Sequence, residues 1–533
     1  MTDGKGLDAV IVGGGHNGLV CAFYLARAGF RVRICEAHHT LGGAAVTEEF
    51  APGFRNSVAS YTVSLLQPKV IADMALHRRG YRAVERPIAN FLPLSVQPGD
   101  YLKLGGGMAK SQAEVARFSA ADAAALPAYY AALEQVADVV RALALRIPPD
   151  AGGGIKGMID AALQSRVLAR LDLPGRREAL ALFTRSAREY LDGWFESAPL
   201  KAALGFDAIV GNHASPDTPG SAYVLLHHVF GEVNGNKGSW AHSIGGMGAI
   251  TQAMAEACRE AGVEIGLEQS VERVLVESGK AVGVRLASGE EVRAHRVIAN
   301  VGPALLYRRL IERSALPGDF AVAMDRFATG SGSFRMNLAL SELPRFSALP
   351  EPGEHHSAGI VIAPSLDYMD RAYADSRAFG WSRAPIVEML IPSTVDDSLA
   401  SSGQHVASLF CQQFNPRLPD GSDWDAREAE AVEAILTTIE HYAPGFRETI
   451  VGRQVLSPKG LERRFGLVDG DIFHGRMSLD QLWAARPVLG AGSYRGPLTG
   501  LWMCGAGTHP GGGVTGAPGH NCAHAILKAG RKL

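Results

Sequence analysis

Residues 7–12 form an almost wholly apolar run, the pattern of a strand buried on both faces. The run ends in Gly13-Gly14-Gly15-His16-Asn17-Gly18, after which Leu19, Ala22, Phe23 and Ala26 recur at helical spacing and mark one apolar face. Gly29 stops that helix. Phe30, Val32 and Ile34 then alternate with Arg31 and Arg33 as a second strand, with Glu36 at its end. A later block has Gly245-Gly246-Met247-Gly248, a helix over 249–261, and alternating stretches at 263–265, 270–274, 281–286 and 296–300, with a turn at Ser288-Gly289. This predicts a small β-meander inserted between parallel strands. Near the C-terminus come a strand over 501–504, a glycine-dense run over 505–519, and a helix from about His520 to Lys528 with Pro518 by its first turn.

The intervals, about 71–231 and 311–455, are mostly helical or mixed. Residues 122–147 are rich in Ala, Leu and Val, and Pro127 marks a helix start. The apolar side over 129–147 suits packing within the domain. Dipping into a membrane surface to collect a lipid is the competing use, and it leaves peripheral membrane contact open, although interfacial helices carry more basic residues than Arg141 and Arg146. Gly105-Gly106-Gly107 follows a half-polar strand and reads as a turn. His227, His228 and His242 have no metal-ligand spacing, so no metal is expected.

The first block carries chemistry. Strand, G-x-G-x-x-G, helix, second strand and terminal acid stand in the order of a dinucleotide-binding unit. Gly13 permits the tight turn, Gly15 lets the backbone approach a pyrophosphate, and Gly18 lets helix and strand pack closely. Glu36 can accept hydrogen bonds from ribose hydroxyls. Leu41-Gly42-Gly43-Ala44 is a second glycine pair that NAD-binding domains do not need; in one class of FAD proteins the chain recrosses the pyrophosphate there. The fold expected is α/β: a Rossmann-type FAD-binding domain (1–70, 232–310 and 456–533; a parallel sheet with a β-meander) plus a discontinuous α+β substrate domain (71–231 and 311–455). The cofactor contacts expected are Gly13, Gly15, His16, Asn17, Gly18, Glu36, Ala37, Gly42, Gly43, Ala44, Val271, Asn300, Gly505, Gly507, Gly513, Val514 and Gly516. The C-terminal helix, starting in a glycine loop, is suited to aim its positive end at the flavin pyrimidine ring.

The block GGGHNGLVCAFYLARAGFRV with Glu36 and Leu41-Gly42-Gly43, the segment SPDTPGSAYVLLHHVFGEVNG with IGGMGAITQAMA, and IFHGRMSLDQLW with CGAGTHPGGGVTGAPGHN resemble the phytoene-desaturase-like flavoproteins. The likeness is strongest to their pyridine nucleotide-disulfide oxidoreductase domain-containing protein 2 group, and it runs from about residue 8 to 528. The resemblance implies noncovalent FAD, a wider amine-oxidase architecture, and hydride removal from a mainly apolar substrate, such as C–C desaturation of a carotenoid-like or lipid-like molecule. Amine oxidation, or a flavin-containing regulatory protein with little turnover, are the alternatives. In amine oxidases of this architecture a lysine on a substrate-domain strand holds a water against the flavin; here Arg335, on the strand over 331–340, stands at that position. A guanidinium cannot give up its proton at usable pH. Arg335 therefore positions a water or stabilises reduced flavin, or it is a strand-end arginine paired with a carboxylate. No second complete fingerprint is present to seat NAD(P)H, so the electron acceptor stays open among oxygen, a quinone and a protein.

Composition narrows the classes further. Hydrophobic residues make up 47% and charged ones 20%, which excludes intrinsic disorder. Lys plus Arg total 52 against 54 Asp plus Glu, so no net field draws the chain to nucleic acid. Six cysteines without a C-x-x-C rule out a dithiol centre of that type and fit a reducing compartment. With no secretory signal, transit peptide or apolar run of membrane-spanning length in the sequence, a cytoplasmic protein is expected.

Overall fold

The computed structural model describes residues 6–150, 152 and 154–530, with Lys156 and His228 described by backbone alone. Two sheets organise the chain. The first is five-stranded and parallel, in the order Glu264–Gly266, Val32–Cys35, Ala9–Val12, Val297–Ala299 and Leu501–Met503. Both of its faces are covered, which is why its strands read as apolar runs. Ile11, Ile34 and Ile298 pack under the helices His16–Arg27, Met247–Glu260 and Ala517–Ala529. Val10, Val12, Val297 and Ala299 face the antiparallel meander of Val271–Glu277, Lys280–Leu286 and Glu291–Arg293. The predicted meander and flanking strands are thus present.

The second sheet has seven strands, ordered Ile450–Leu456, Ser333–Leu340, His405–Gln412, Ile386–Leu390, Gly359–Ile362, Asn90–Pro93 and Tyr101–Leu104. Its pairs are antiparallel except the one between Gly359–Ile362 and Asn90–Pro93. Phe334, Met336, Leu409 and Met389 point to one face, covered by the helix Trp424–Tyr442. The opposite face holds Phe410 and Val361 against the helices of the 120–229 interval.

Two expectations are corrected here. Pro127 does not start a helix; it lies inside Ala120–Ala144, which begins after the Ser119 cap. The carbonyl of Ala123, which loses its helical donor to the proline, accepts Gln112 Nε2 at 2.8 Å. The apolar side of that helix (Leu126, Tyr129, Leu133, Val136) is buried in the core, which removes the stretch as a membrane-dipping face. Exposed apolar side chains fall instead on Gly154–Ser165, at Ile155, Met158, Ile159 and Leu163. Among the described residues no helix is long and apolar enough to cross a membrane.

Candidate functional site

The parallel strand Ala9–Val12 delivers the glycine loop to the N-terminus of His16–Arg27, whose cap position is Gly15 with no side-chain capping bond. The first helical N–H groups are therefore left for an anion. A methyl group on Gly14 would lie 2.3 Å from Leu41 Cδ2, and one on Gly18 would lie 2.5 Å from the Gly13 carbonyl. At Gly18 the obstacle is backbone and only glycine fits; at Gly14 the Leu41 side chain would have to move aside. The Gly42 N–H donates to the Gly14 carbonyl at 3.0 Å, and Gly15 and Gly42 form a parallel bridge, so the second glycine pair crosses the first loop as its spacing predicts. Glu36 Oε2 accepts the Gly14 N–H at 2.6 Å, and its Oε1 accepts the His38 N–H at 2.9 Å.

These residues line a cavity of ≈ 550 Å³ that runs from the glycine loop to the second sheet. Gly13, Gly15, His16, Asn17, Glu36, Ala37, Gly42, Gly43, Ala44, Val271, Asn300, Gly513, Val514 and Arg335 all face it. Gly18, Gly505, Gly507 and Gly516 do not. Gly18 packs helix against strand, and methyl groups on Gly505 and Gly507 would strike the Asn300 carbonyl and the Pro303 ring. Gly516 caps the C-terminal helix at φ 71°, a backbone that favours glycine. Its contribution is backbone shape.

At the far end of the cavity, the pleat sets the chemistry. Arg335 pairs with Phe410, and Phe410 with Glu388, in one row across three strands, so all three side chains emerge on the same face. Arg335 lies mid-strand and buried. Its Nη1 donates to the Leu409 carbonyl at 2.8 Å and its Nη2 to Ser408 Oγ at 2.6 Å, so it is not a strand-end arginine paired with a carboxylate. Its guanidinium carbon lies 4.4 Å from the Tyr61 ring centre. The Tyr61 hydroxyl donates to Glu388. Burial pushes the Glu388 carboxyl above the usual carboxylate range, opposed by the Tyr61 hydrogen bond and the charges of Arg86 and Arg335. Tyr61, Arg86, Asp207 and Glu388 were not singled out from the sequence. A signal did exist for Glu388: it is the lone charged residue in the strand IVEML.

The Flavin containing amine oxidoreductase family matches residues 18–334. The chain belongs to this family. Over 98% of its length it is 39% identical to "Pyridine nucleotide-disulfide oxidoreductase domain-containing protein 2" of Rattus norvegicus, covering 93% of that protein. It is 26% identical to "All-trans-zeta-carotene desaturase" of Myxococcus xanthus over 95% of this chain and 90% of that one. In three dimensions it resembles cyclohexylamine oxidase from Brevibacterium oxydans, with a TM-score of 0.56, 15% identity and 99% of each chain covered. Membership makes the chain an FAD-dependent oxidoreductase, as the glycine loop and second glycine pair led one to expect.

The residues present fit that flavoprotein family's cofactor. His16 Nε2 and Asn17 Oδ1 are buried at the loop without protein partners, as groups awaiting a ligand would be. Burial lowers the His16 imidazole to about 4 and that of His474, also on the cavity wall, to about 4. One further residue escaped sequence reasoning. The buried Arg486 guanidinium donates to the carbonyls of Phe473, Gly475, Gln481 and Ala506, tying the C-terminal glycine loop to the segment before it. Among the described residues no group of three or more His, Cys, Asp or Glu could hold a metal, and the His228 side chain lies outside the described residues.

Proposed function

We propose that this protein removes hydride from a mainly apolar substrate, desaturating a C–C bond, with residues 1–70, 232–310 and 456–533 holding FAD and 71–231 and 311–455 shaping the substrate side. FAD, when bound, supplies the two-electron oxidation by accepting the hydride. Gly13, Gly15, His16, Asn17, Glu36, Ala37, Gly42, Gly43, Ala44, Val271, Asn300, Gly513 and Val514 are the proposed cofactor contacts. Glu36 orients the ribose, and the N–H groups at the start of His16–Arg27 meet the pyrophosphate. Glu388 takes the proton from the carbon next to the one that loses hydride. A buried carboxylate with a raised pKa suits that role, and Tyr61 fixes its orientation. Arg335 positions the substrate and takes no proton.

The observation that carries this reading is the row Arg335–Phe410–Glu388 at the end of the cavity. Arg335 and Arg86 face the same space as Glu388 and Asp207, and the open guanidinium donors there call for an acceptor group, which an ammonium substrate does not offer. Anaerobic flavin bleaching across a panel of alkanes, carboxylates, isoprenoids and amines tests it. Bleaching by an unsaturated-product precursor, slowed 10²–10⁴-fold in Glu388→Gln, is expected. Bleaching by amines alone would replace it with amine oxidation.

A further inference from the structure

We infer that the substrate's apolar body ends in a carboxylate, and that Arg86, with the Nε of Arg335, holds it. The inference rests on the flavin-dependent reading above and names the substrate class for the same site. Arg86 Nε and Nη1 and Arg335 Nε are buried and make no hydrogen bond. A buried guanidinium with open donors is costly, and natural sites retain such groups where a ligand completes them.

The nearby acids do not complete them. Glu388 is engaged by the Tyr61 hydroxyl and touches both guanidiniums only through its field. Neither arginine forms an ion pair with a described carboxylate. Burial pulls both guanidiniums down, and the Glu388 carboxylate pulls both back up, with Asp207 adding to the pull on Arg86, so the two cations share one environment. Gly359 keeps that environment open: a Cβ there would lie 3.0 Å from Glu388 Oε1 and 3.3 Å from Arg86 Nη1.

The unmet valences are donors, and they identify the ligand. A carboxylate offers two oxygens to the planar N–H fork of arginine. An ammonium group has no acceptor and would leave those donors open. A hydroxyl would satisfy one donor and neutralise nothing. Phe206, Val210, Trp240, Phe410 and Ile472 on the cavity wall suit the hydrocarbon that follows.

Isothermal calorimetry on the FAD-loaded full chain, with octanoate, octan-1-ol and octylammonium at one pH, tests the inference, with the flavin visible band followed in parallel. Octanoate is expected to bind saturably, at least tenfold tighter than octan-1-ol, with octylammonium weakest. Arg86→Met should weaken octanoate at least tenfold, leave octan-1-ol unchanged, and keep its FAD; Arg86→Lys should recover part of the loss. Absent octanoate binding, octylammonium binding tightest, or octanoate unaffected by Arg86→Met would overturn the inference. So would loss of FAD from Arg86→Met, because the donors would then serve the flavin. If Arg86→Met does not fold, the wild-type ranking and Arg86→Lys decide. A preparation that takes up no FAD defeats the proposed function instead, and octanoate heats on that protein still report on the clamp.

Discussion

Glu36 Oε2 accepts the amide proton of Gly14 across 2.6 Å, which ties the acid at the end of the second strand to the middle of the glycine loop. The same carboxylate accepts the His38 N–H through its other oxygen. Glu36 therefore shapes the loop before any ribose arrives.

Glu36→Ala should weaken FAD retention by roughly 1.5–3 kcal/mol, the worth of charge-assisted hydrogen bonds. It should also lower the melting temperature of the FAD-free protein, because Gly14 and His38 lose their acceptor. Glu36→Gln, which keeps one acceptor oxygen and can serve Gly14 or His38 but not both, should fall between. Fluorescence titration of FAD and thermal unfolding of the apoprotein measure the two effects separately. An apoprotein as stable as wild type would assign Glu36 to the ribose alone.

Arg486→Met should be among the most destabilising single changes in the cofactor half. It strips a buried donor from the carbonyls of Phe473, Gly475, Gln481 and Ala506. Unpartnered buried acceptors cost about 1–3 kcal/mol each when nothing replaces the donor. Arg486→Lys should rescue little, because one ammonium cannot reproduce the planar fork. Denaturant midpoints, with FAD content read from absorbance, check both points.

Acid should destabilise the apoprotein through buried neutral imidazoles. Burial lowers His16 and His474 to about 4 and His509 to about 3, against about 6.5 unfolded. The unfolded chain therefore binds protons first. The stability these residues contribute is complete above about pH 6.5 and is lost as pH falls toward 4, at up to roughly 1.4 kcal/mol per pH unit for each. FAD should flatten the slope, since a pyrophosphate beside His16 favours the imidazolium. Urea midpoints from pH 8 to 4.5, with and without FAD, show the sign; a flat apoprotein profile would contradict the burial argument.

NADH and NADPH should reduce the bound flavin slowly or not at all. The complete dinucleotide fingerprint, Gly13 to Glu36, opens on one cavity together with the second glycine pair. Stopped-flow absorbance under nitrogen is the measurement. Saturable bleaching faster than ~1 s⁻¹, within the ordinary turnover range, would make the protein a reductase.

The cofactor half was legible because its rules are local. A doubly covered parallel strand must be apolar, a tight turn beside phosphates must be glycine, and an acid must end the second strand. These constraints act over a few residues, so Ala9–Val12, Gly13–Gly18 and Glu36 carried their meaning in the chain itself. The row Arg335–Phe410–Glu388 obeys no such rule. It depends on the registers of three strands far apart in sequence, and on the pleat that turns those positions to one face while Met336 and Leu409 turn to the other. Tyr61 and Arg86 reach that face from other segments, and Arg486 finds its carbonyls through loops with no periodic signal. Pro127 was misplaced for a related reason: a side chain from another helix, Gln112, satisfies the carbonyl that the proline leaves open. Local chemistry determined what this protein holds. Long-range register decided what it holds it against, because side-chain convergence is a property of packing and no segment encodes it alone.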